Sequence, residues 1–178
     1  MWTLSRADAR VRRLCKNAAM LALAMTFSFV EHLVPLSLFL PLPGVKLGLA
    51  NVVTVVLFFL GSPVDAAVVS ALRIGLSALL FGTPVSLLFS ACGGILAYLA
   101  LWLCRPFFRG AFSFIGISVL SATGHHFGQI FAAMLLFDSG VFLTYLPVLL
   151  LAGIFTGGMT GCILNLCAAR LQKLFEKG

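Results

Sequence analysis

The chain has 178 residues, 61% of them hydrophobic and only 10% charged, and its formal net charge is +7. Soluble domains carry about 25% charged residues, so the composition indicates an integral membrane protein and excludes a soluble catalytic or nucleotide-binding domain. The basic residues cluster at both chain ends and in one internal connection, which is the pattern of the positive-inside rule and not of nucleic-acid binding.

Six apolar segments are long enough to predict membrane-spanning helices, because about 20 apolar residues cross the hydrocarbon core. Proline or glycine marks most of their boundaries. In chain order, the predicted spans are 14–34, 45–61, 64–82, 84–104, 112–137 and 141–170. The sequence therefore predicts an all-α integral membrane protein, with a single domain over residues 1–178 that forms a six-helix bundle.

The distribution of basic residues also predicts the orientation of these spans. Six spans place both termini on one side of the membrane, together with the connection that contains Arg105 and Arg109. The positive-inside rule assigns that side to the cytoplasm. We therefore expect a multi-pass protein of the cell membrane with both termini in the cytoplasm.

Small residues four positions apart occur on the first and the last predicted helices. Ala18 and Ala22 form an AxxxA pattern, and Gly153, Gly157 and Gly161 form two overlapping GxxxG patterns. Such stripes let helix backbones approach closely within a membrane. The glycine stripe predicts packing inside the bundle, whereas for Ala18 and Ala22 contact with a partner subunit competes with internal packing.

The third predicted helix carries Arg73 near its centre, on a face of small and polar residues that includes Ser70 and Ser77. A charged side chain at that depth costs about 2.5–3.5 kcal/mol on insertion scales. It should therefore face the protein interior or a water-filled cavity. We predict that Arg73 binds an anionic or carbonyl-bearing ligand. The alternative is a structural role, in which Arg73 pairs with Glu31 or with backbone carbonyls.

Polar residues of other helices are expected at a similar depth. His125 and Gln129 share a face of the fifth helix, Asn51 lies on the second, and Glu31 and Lys46 lie near the outer ends of the first two. Helix packing is the alternative role for His125, and snorkelling to the membrane surface is the alternative for Lys46. We predict a polar cavity open to the outside. Its predicted substrate-binding residues are Arg73, His125, Gln129, Asn51, Glu31 and Lys46.

We expect no metal site and no cofactor. His125 and His126 are adjacent and point to faces about 100° apart, and the five cysteines show no zinc spacing. The phosphate-binding patterns GxxxxGK[ST] and GxGxxG are absent. ATP-driven work would therefore need a separate ATPase chain.

Five segments carry a resemblance to a known family. They are VKLGLANVVT (45–54), LRIGLSALLFG (72–82), SACGG (90–94), GHHFGQ (124–129) and YLPVLLLAGIFTG (145–157). These segments resemble the Gx transporter family, which is also labelled heptaprenyl diphosphate synthase component I, and the resemblance covers nearly the whole chain. The family is similar in size and topology to the S components of energy-coupling factor (ECF) transporters, which are six-helix membrane proteins that bind vitamins or related small molecules from outside.

This resemblance implies a function and partners. S components dock on a transmembrane T subunit that works with two cytoplasmic ATPase subunits, and an AxxxA motif on the first helix makes that contact. Ala18 and Ala22 fit the motif. The resemblance implies a substrate-binding subunit that captures a small vitamin-like or cofactor-precursor molecule for ATP-driven uptake.

The family label mentions an enzyme, but the residues argue against catalysis. Prenyl diphosphate synthases need paired aspartate-rich motifs, because magnesium and diphosphate require clustered carboxylates. This chain has no DDxxD, so we predict that it is not an enzyme. Two alternatives stay open: a non-catalytic membrane subunit of an isoprenoid, quinone-biosynthesis or electron-transfer assembly, and a stand-alone secondary transporter.

Overall fold

The computed structural model describes residues 6–33, 46, 48–108 and 112–176. Within these residues the chain is helical, with six α-helices and two short 3-10 helices. This confirms the predicted all-helical class. The α-helices are α1 (Arg6–Leu33), α2 (Asn51–Leu60), α3 (Pro63–Phe81), α4 (Pro84–Cys104), α5 (Phe114–Phe137) and α6 (Leu146–Glu176).

Proline and capping residues begin the middle helices. Pro63 and Pro84 lie in the first turns of α3 and α4, where a missing N–H leaves no intrahelical hydrogen bond unmade. The Thr83 hydroxyl accepts from the Ser86 N–H at 3.1 Å, and the Ser86 hydroxyl accepts from the Thr83 N–H at 2.8 Å. This capping box begins α4 at the predicted residue.

The other helices differ from the predicted spans at their ends. α1 begins at Arg6 and not at residue 14, because the helix continues through the basic segment beyond its apolar part. A 3-10 helix over Gly140–Tyr145 precedes α6. α2 begins at Asn51 and not at residue 45, because Gly48 has a φ of +83°, which an α-helix does not accommodate. Residues 34–45 and 47 lie outside the described residues.

The helices also differ in their suitability for crossing a membrane. Among the described residues, four segments are long and apolar enough to do so: Ala7–Leu33, Pro63–Phe81, Pro84–Phe107 and Gly140–Cys167. α2 has only 10 residues, and α5 carries two histidines and a glutamine near its centre. The chain is therefore a helical membrane protein, and the count of six spans stays a prediction.

α2 and one face of α5 are buried inside the bundle. α2 is buried from Asn51 to Phe58 apart from Val52, and Val53, Val55 and Leu57 belong to the main apolar core. α5 packs between α4 and α6, with its polar face buried, whereas its side chains at 127, 131 and 135 are exposed. The polar site residues of both helices therefore lie against other parts of the protein.

Glycines set the close approach of α5 to its neighbours. A Cβ atom at Gly157 of α6 would lie 2.6 Å from the Cα of Val119, and one at Gly161 would clash with the backbone of Ile115. On the opposite side, a Cβ at Gly128 of α5 would clash with the carbonyl of Cys92. These contacts confirm that the glycine stripe of α6 packs inside the bundle.

An ion pair joins the N-terminal parts of α1 and α3. Arg13 Nη2 lies 2.7 Å from Asp65 Oδ1, and Arg13 Nε lies 3.0 Å from Asp65 Oδ2. Two parallel hydrogen bonds to one carboxylate fix the relative orientation of the groups. The sequence did not reveal this pair, because its members are far apart along the chain.

We expect the substitution Gly157→Val to destabilise the bundle, since the Val119 backbone cannot move aside for the added side chain. Overpacking of this kind costs about 1–3 kcal/mol. Thermal unfolding of the purified protein in detergent measures the effect. Gly158→Val is the matched control, because a Cβ there would meet nothing within 4 Å. Equal unfolding midpoints for the two variants would contradict the packing assignment.

Candidate functional site

The predicted site residues are buried, although they lie on five different helices or connections. Arg73 is only 3% exposed, and Glu31, Asn51, His125 and Gln129 are also buried. Lys46 is half-buried in the segment before α2. Buried polar groups in proteins are almost always hydrogen-bonded, so the contacts of these residues indicate the role of each.

Gln129 connects both histidines to the segment before α2. Its Oε1 lies 3.1 Å from His126 Nδ1, and its Nε2 lies 3.2 Å from His125 Nε2 and 3.3 Å from the Lys46 carbonyl oxygen. The amide nitrogen only donates and the amide oxygen only accepts. These hydrogen bonds therefore assign the tautomers: His125 accepts at Nε2, and His126 donates from Nδ1. Both N–H groups of the Gln129 amide thus bond within the protein, to His125 and to the Lys46 carbonyl. We therefore assign Gln129 the role of positioning these groups.

Two glycines make room for the two imidazole rings. A Cβ at Gly93 of α4 would lie 2.7 Å from His125 Nδ1, and a Cβ at Gly153 of α6 would lie 2.8 Å from His126 Cδ2. His125 thus packs against α4, and His126 packs against α6. Sequence reasoning placed His126 on another helix face and did not foresee that Gln129 would hydrogen-bond to both rings.

The turn before α2 brings together α1, α2 and α5. The Leu49 N–H donates to Glu31 Oε1, and the Gly48 N–H also interacts with this carboxylate. A Cβ at Gly48 would lie 3.2 Å from Asn51 Nδ2 and 3.4 Å from His125 Cδ2. The positive φ of Gly48 favours glycine, and this proximity leaves little space for a larger residue. The glycine within VKLGLAN was the sequence signal for this turn, which the prediction of a longer second helix missed.

Arg73 belongs to the same cluster but makes no ion pair in it. Its charge interacts with those of Glu31 and Lys46 and with His125. Arg73 and Glu31 are both described, and no nitrogen–oxygen distance between them falls within the 4.0 Å of an ion pair. A direct Arg73–Glu31 pair, the structural alternative considered from the sequence, is therefore not observed.

Several buried atoms of this cluster have no hydrogen-bond partner among the described residues. They are Glu31 Oε2, Asn51 Nδ2, Arg73 Nε and Nη2, His125 Nδ1 and His126 Nε2. Buried polar atoms in proteins are almost always hydrogen-bonded, and an unpartnered buried charge is especially costly. These atoms are therefore the ones available to bind a ligand or water.

A narrow crevice continues from Asn51 between α2, α5 and α6. Its volume is about 10 Å³, which is room for about one water molecule. The hydroxyl groups of Ser118 and Ser121 border it and have no partner among the described residues. The connection over residues 35–45, which the predicted topology places on the outer side, lies outside the described residues.

The remaining predicted residues lie elsewhere. Ala18 and Ala22 are exposed on α1, where a partner helix could reach them. The described part of the chain contains no group of three or more His, Cys, Asp or Glu side chains that could hold a metal ion.

Fold and site together define a helical membrane protein with a buried polar cluster that is only partly hydrogen-bonded. The chain belongs to the Gx transporter family: residues 20–167 match the family model described as Heptaprenyl diphosphate synthase component I. This confirms the resemblance seen in the sequence motifs. No match to the chain was found among curated proteins or among solved structures.

We expect Gln129→Leu to destabilise the protein, because it leaves both histidines and the Lys46 carbonyl without their partner while keeping a similar volume. Unsatisfied buried groups cost about 1–3 kcal/mol. Thermal unfolding in detergent measures the change. Ser90→Ala is the control, since the buried Ser90 hydroxyl has no partner among the described residues. The positioning role of Gln129 is wrong if both variants unfold at the same temperature.

Proposed function

We propose that the protein is the substrate-binding membrane subunit of an ECF-type transporter. In this role it captures a small vitamin-like or cofactor-precursor molecule from outside the cell. The observation that carries the proposal is the set of buried, unpartnered polar and charged atoms around Arg73 in a chain that is 61% hydrophobic. Membership of the Gx transporter family supports it.

The proposed binding mechanism follows from this unmet hydrogen-bonding capacity. Arg73, Asn51 and Glu31 offer free donor and acceptor atoms. His125 lines the same turn, and Gln129 and the Lys46 carbonyl hold that turn in place. A ligand that satisfies these atoms removes the cost of leaving them buried and unpaired. Binding should therefore stabilise the protein without any nucleotide.

The proposed topology gives the site its access. Six spans with cytoplasmic termini would place the cluster in the outer half of the bundle, as the positive-inside rule indicates. Release of the ligand into the cytoplasm against its concentration gradient then requires energy, which a T subunit and two ATPase subunits would supply. Ala18 and Ala22 are exposed on α1, and small exposed residues let a helix of the T subunit approach closely.

Ligand binding is tested by thermal unfolding of the purified protein with vitamins, flavins and quinone precursors. A ligand present at about 100 times its Kd should stabilise the protein by about 2.7 kcal/mol. Arg73→Gln should abolish this stabilisation, whereas Arg105→Gln should keep it because Arg105 is exposed away from the site. The proposal fails if no compound stabilises the protein, or if Arg73→Gln responds as the unaltered protein does.

Partner docking is tested by coexpression with a T subunit and two ATPase subunits. Ala18→Leu together with Ala22→Leu should abolish copurification, because the added side chains keep the helices apart, and should leave ligand binding intact. Ala19→Leu is the matched control, since Ala19 is also exposed but points about 100° away from Ala18. Docking through this stripe is wrong if the double variant still copurifies.

A second candidate is a non-catalytic membrane subunit of an isoprenoid or quinone-biosynthesis assembly or an electron-transfer assembly. The description of the family model, which mentions a prenyl diphosphate synthase component, favours it. In either role we propose no catalysis by this chain, since its sequence has no aspartate-rich motif. Copurification with a prenyl synthase or a redox protein, and never with a T subunit, would favour this candidate.

A further inference from the structure

We propose that the ligand of this site is a small organic monoanion that inserts between Arg73 and Glu31. Its carboxylate or phosphate group would bind the Arg73 guanidinium, and a separate N–H or O–H group would donate to Glu31. This inference rests on the proposed substrate-binding function and specifies the class of substrate.

The free atoms of Arg73 define the anionic end. Nε and Nη2 both lack a partner among the described residues, and they form one edge of the guanidinium that matches a carboxylate or phosphate with two parallel hydrogen bonds. The same protein shows this geometry elsewhere: Arg13 uses its Nε and Nη2 to hold the Asp65 carboxylate at 2.7–3.0 Å. In Arg73, the corresponding edge of the guanidinium has no carboxylate partner among the described residues.

The free oxygen of Glu31 defines the donor end. The Leu49 N–H donates to Oε1 of this carboxylate, whereas Oε2 is buried and unpartnered among the described residues. An ionised carboxylate only accepts hydrogen bonds, so its partner must be a donor. Asn51 Nδ2, also unpartnered, adds a donor for a further acceptor on the ligand.

The charge of the cluster defines the charge of the ligand. The formal charges of Arg73 and Lys46 are positive and that of Glu31 is negative, so the three sum to one positive charge. His125 is neutral in the tautomer that accepts from Gln129, and His126 donates to the same amide. Because Arg73 and Glu31 interact without touching, a molecule with an acceptor at one end and a donor at the other satisfies both. A monoanion neutralises the cluster, whereas a cation would add to the unpaired charge.

The test uses the full-length protein in detergent and a library arranged as matched sets. Each set contains a monoanion with a donor and its neutral or donor-free counterparts: 4-aminobenzoate with methyl 4-aminobenzoate and benzoate, pantothenate with pantothenol, and biotin with its methyl ester. Neutral and cationic vitamins complete the library. Isothermal calorimetry should show that the preferred acid binds at least about tenfold more tightly than its ester or alcohol, as expected for a charged hydrogen-bonding pair.

Variants of Arg73 and Glu31 test which residue binds each end of the ligand. Arg73→Lys keeps the charge but removes the two-pronged edge, and should weaken the acid about tenfold. Arg73→Gln should erase the preference for acid over ester, and Glu31→Gln should reduce the preference for the donor-bearing acid over its donor-free counterpart. Arg105→Gln should change neither preference. Size-exclusion chromatography checks that each variant is monodisperse, and Arg73→Lys preserves the test if Arg73→Gln fails to fold.

The outcomes separate the ligand class from the function. If a neutral or cationic compound binds in an Arg73-dependent way and no acid does, the ligand class is wrong and the substrate-binding function stands. If the acid preference survives in Arg73→Gln, the assignment of the anionic end is wrong. If no compound of any class binds, the proposed function itself fails.

Discussion

Close packing of α5 against α4 and α6 is the constraint on which the rest of the structure depends. Glycines at each contact bring the helix backbones together, and bulkier residues at Gly128, Gly157 or Gly161 would meet main-chain atoms. The polar face of α5 is thereby enclosed by its neighbours, whereas apolar side chains such as Phe131 and Leu135 are exposed. This enclosure lets a helix with two histidines and a glutamine exist in such an apolar protein, because its polar face meets protein and not lipid.

The enclosed polar face is then organised by hydrogen bonds that leave part of the cluster free. Gln129 uses its amide to hold His125, His126 and the Lys46 carbonyl. The turn before α2 holds one oxygen of Glu31. Arg73 receives no such partner among the described residues. A hydrogen-bonded framework thus surrounds a few atoms whose hydrogen-bonding capacity is unmet, which is the arrangement expected of a preorganised binding site.

Local sequence signals were sufficient for much of the fold and failed at particular places. Proline and glycine at Gly61, Pro63, Gly82 and Pro84 marked α3 and α4 closely, because these residues act on the backbone next to them. The second helix was predicted too long, since the apolar run over 45–50 hid the positive φ of Gly48. Burial of Arg73 followed from the cost of its charge in a membrane, whereas its lack of an ion pair with Glu31 depended on distances between helices.

By itself, the sequence determined that this is a helical membrane protein of the Gx transporter family, and it singled out the polar residues that must avoid lipid. Composition and motifs suffice for this, because the cost of exposing polar groups to hydrocarbon does not depend on the details of packing. Only the tertiary structure decided which polar groups satisfy one another. That Gln129 holds both histidines while Arg73 and Glu31 keep free atoms depends on distances between α1, α3 and α5, and those distances are set by contacts between residues far apart in the chain.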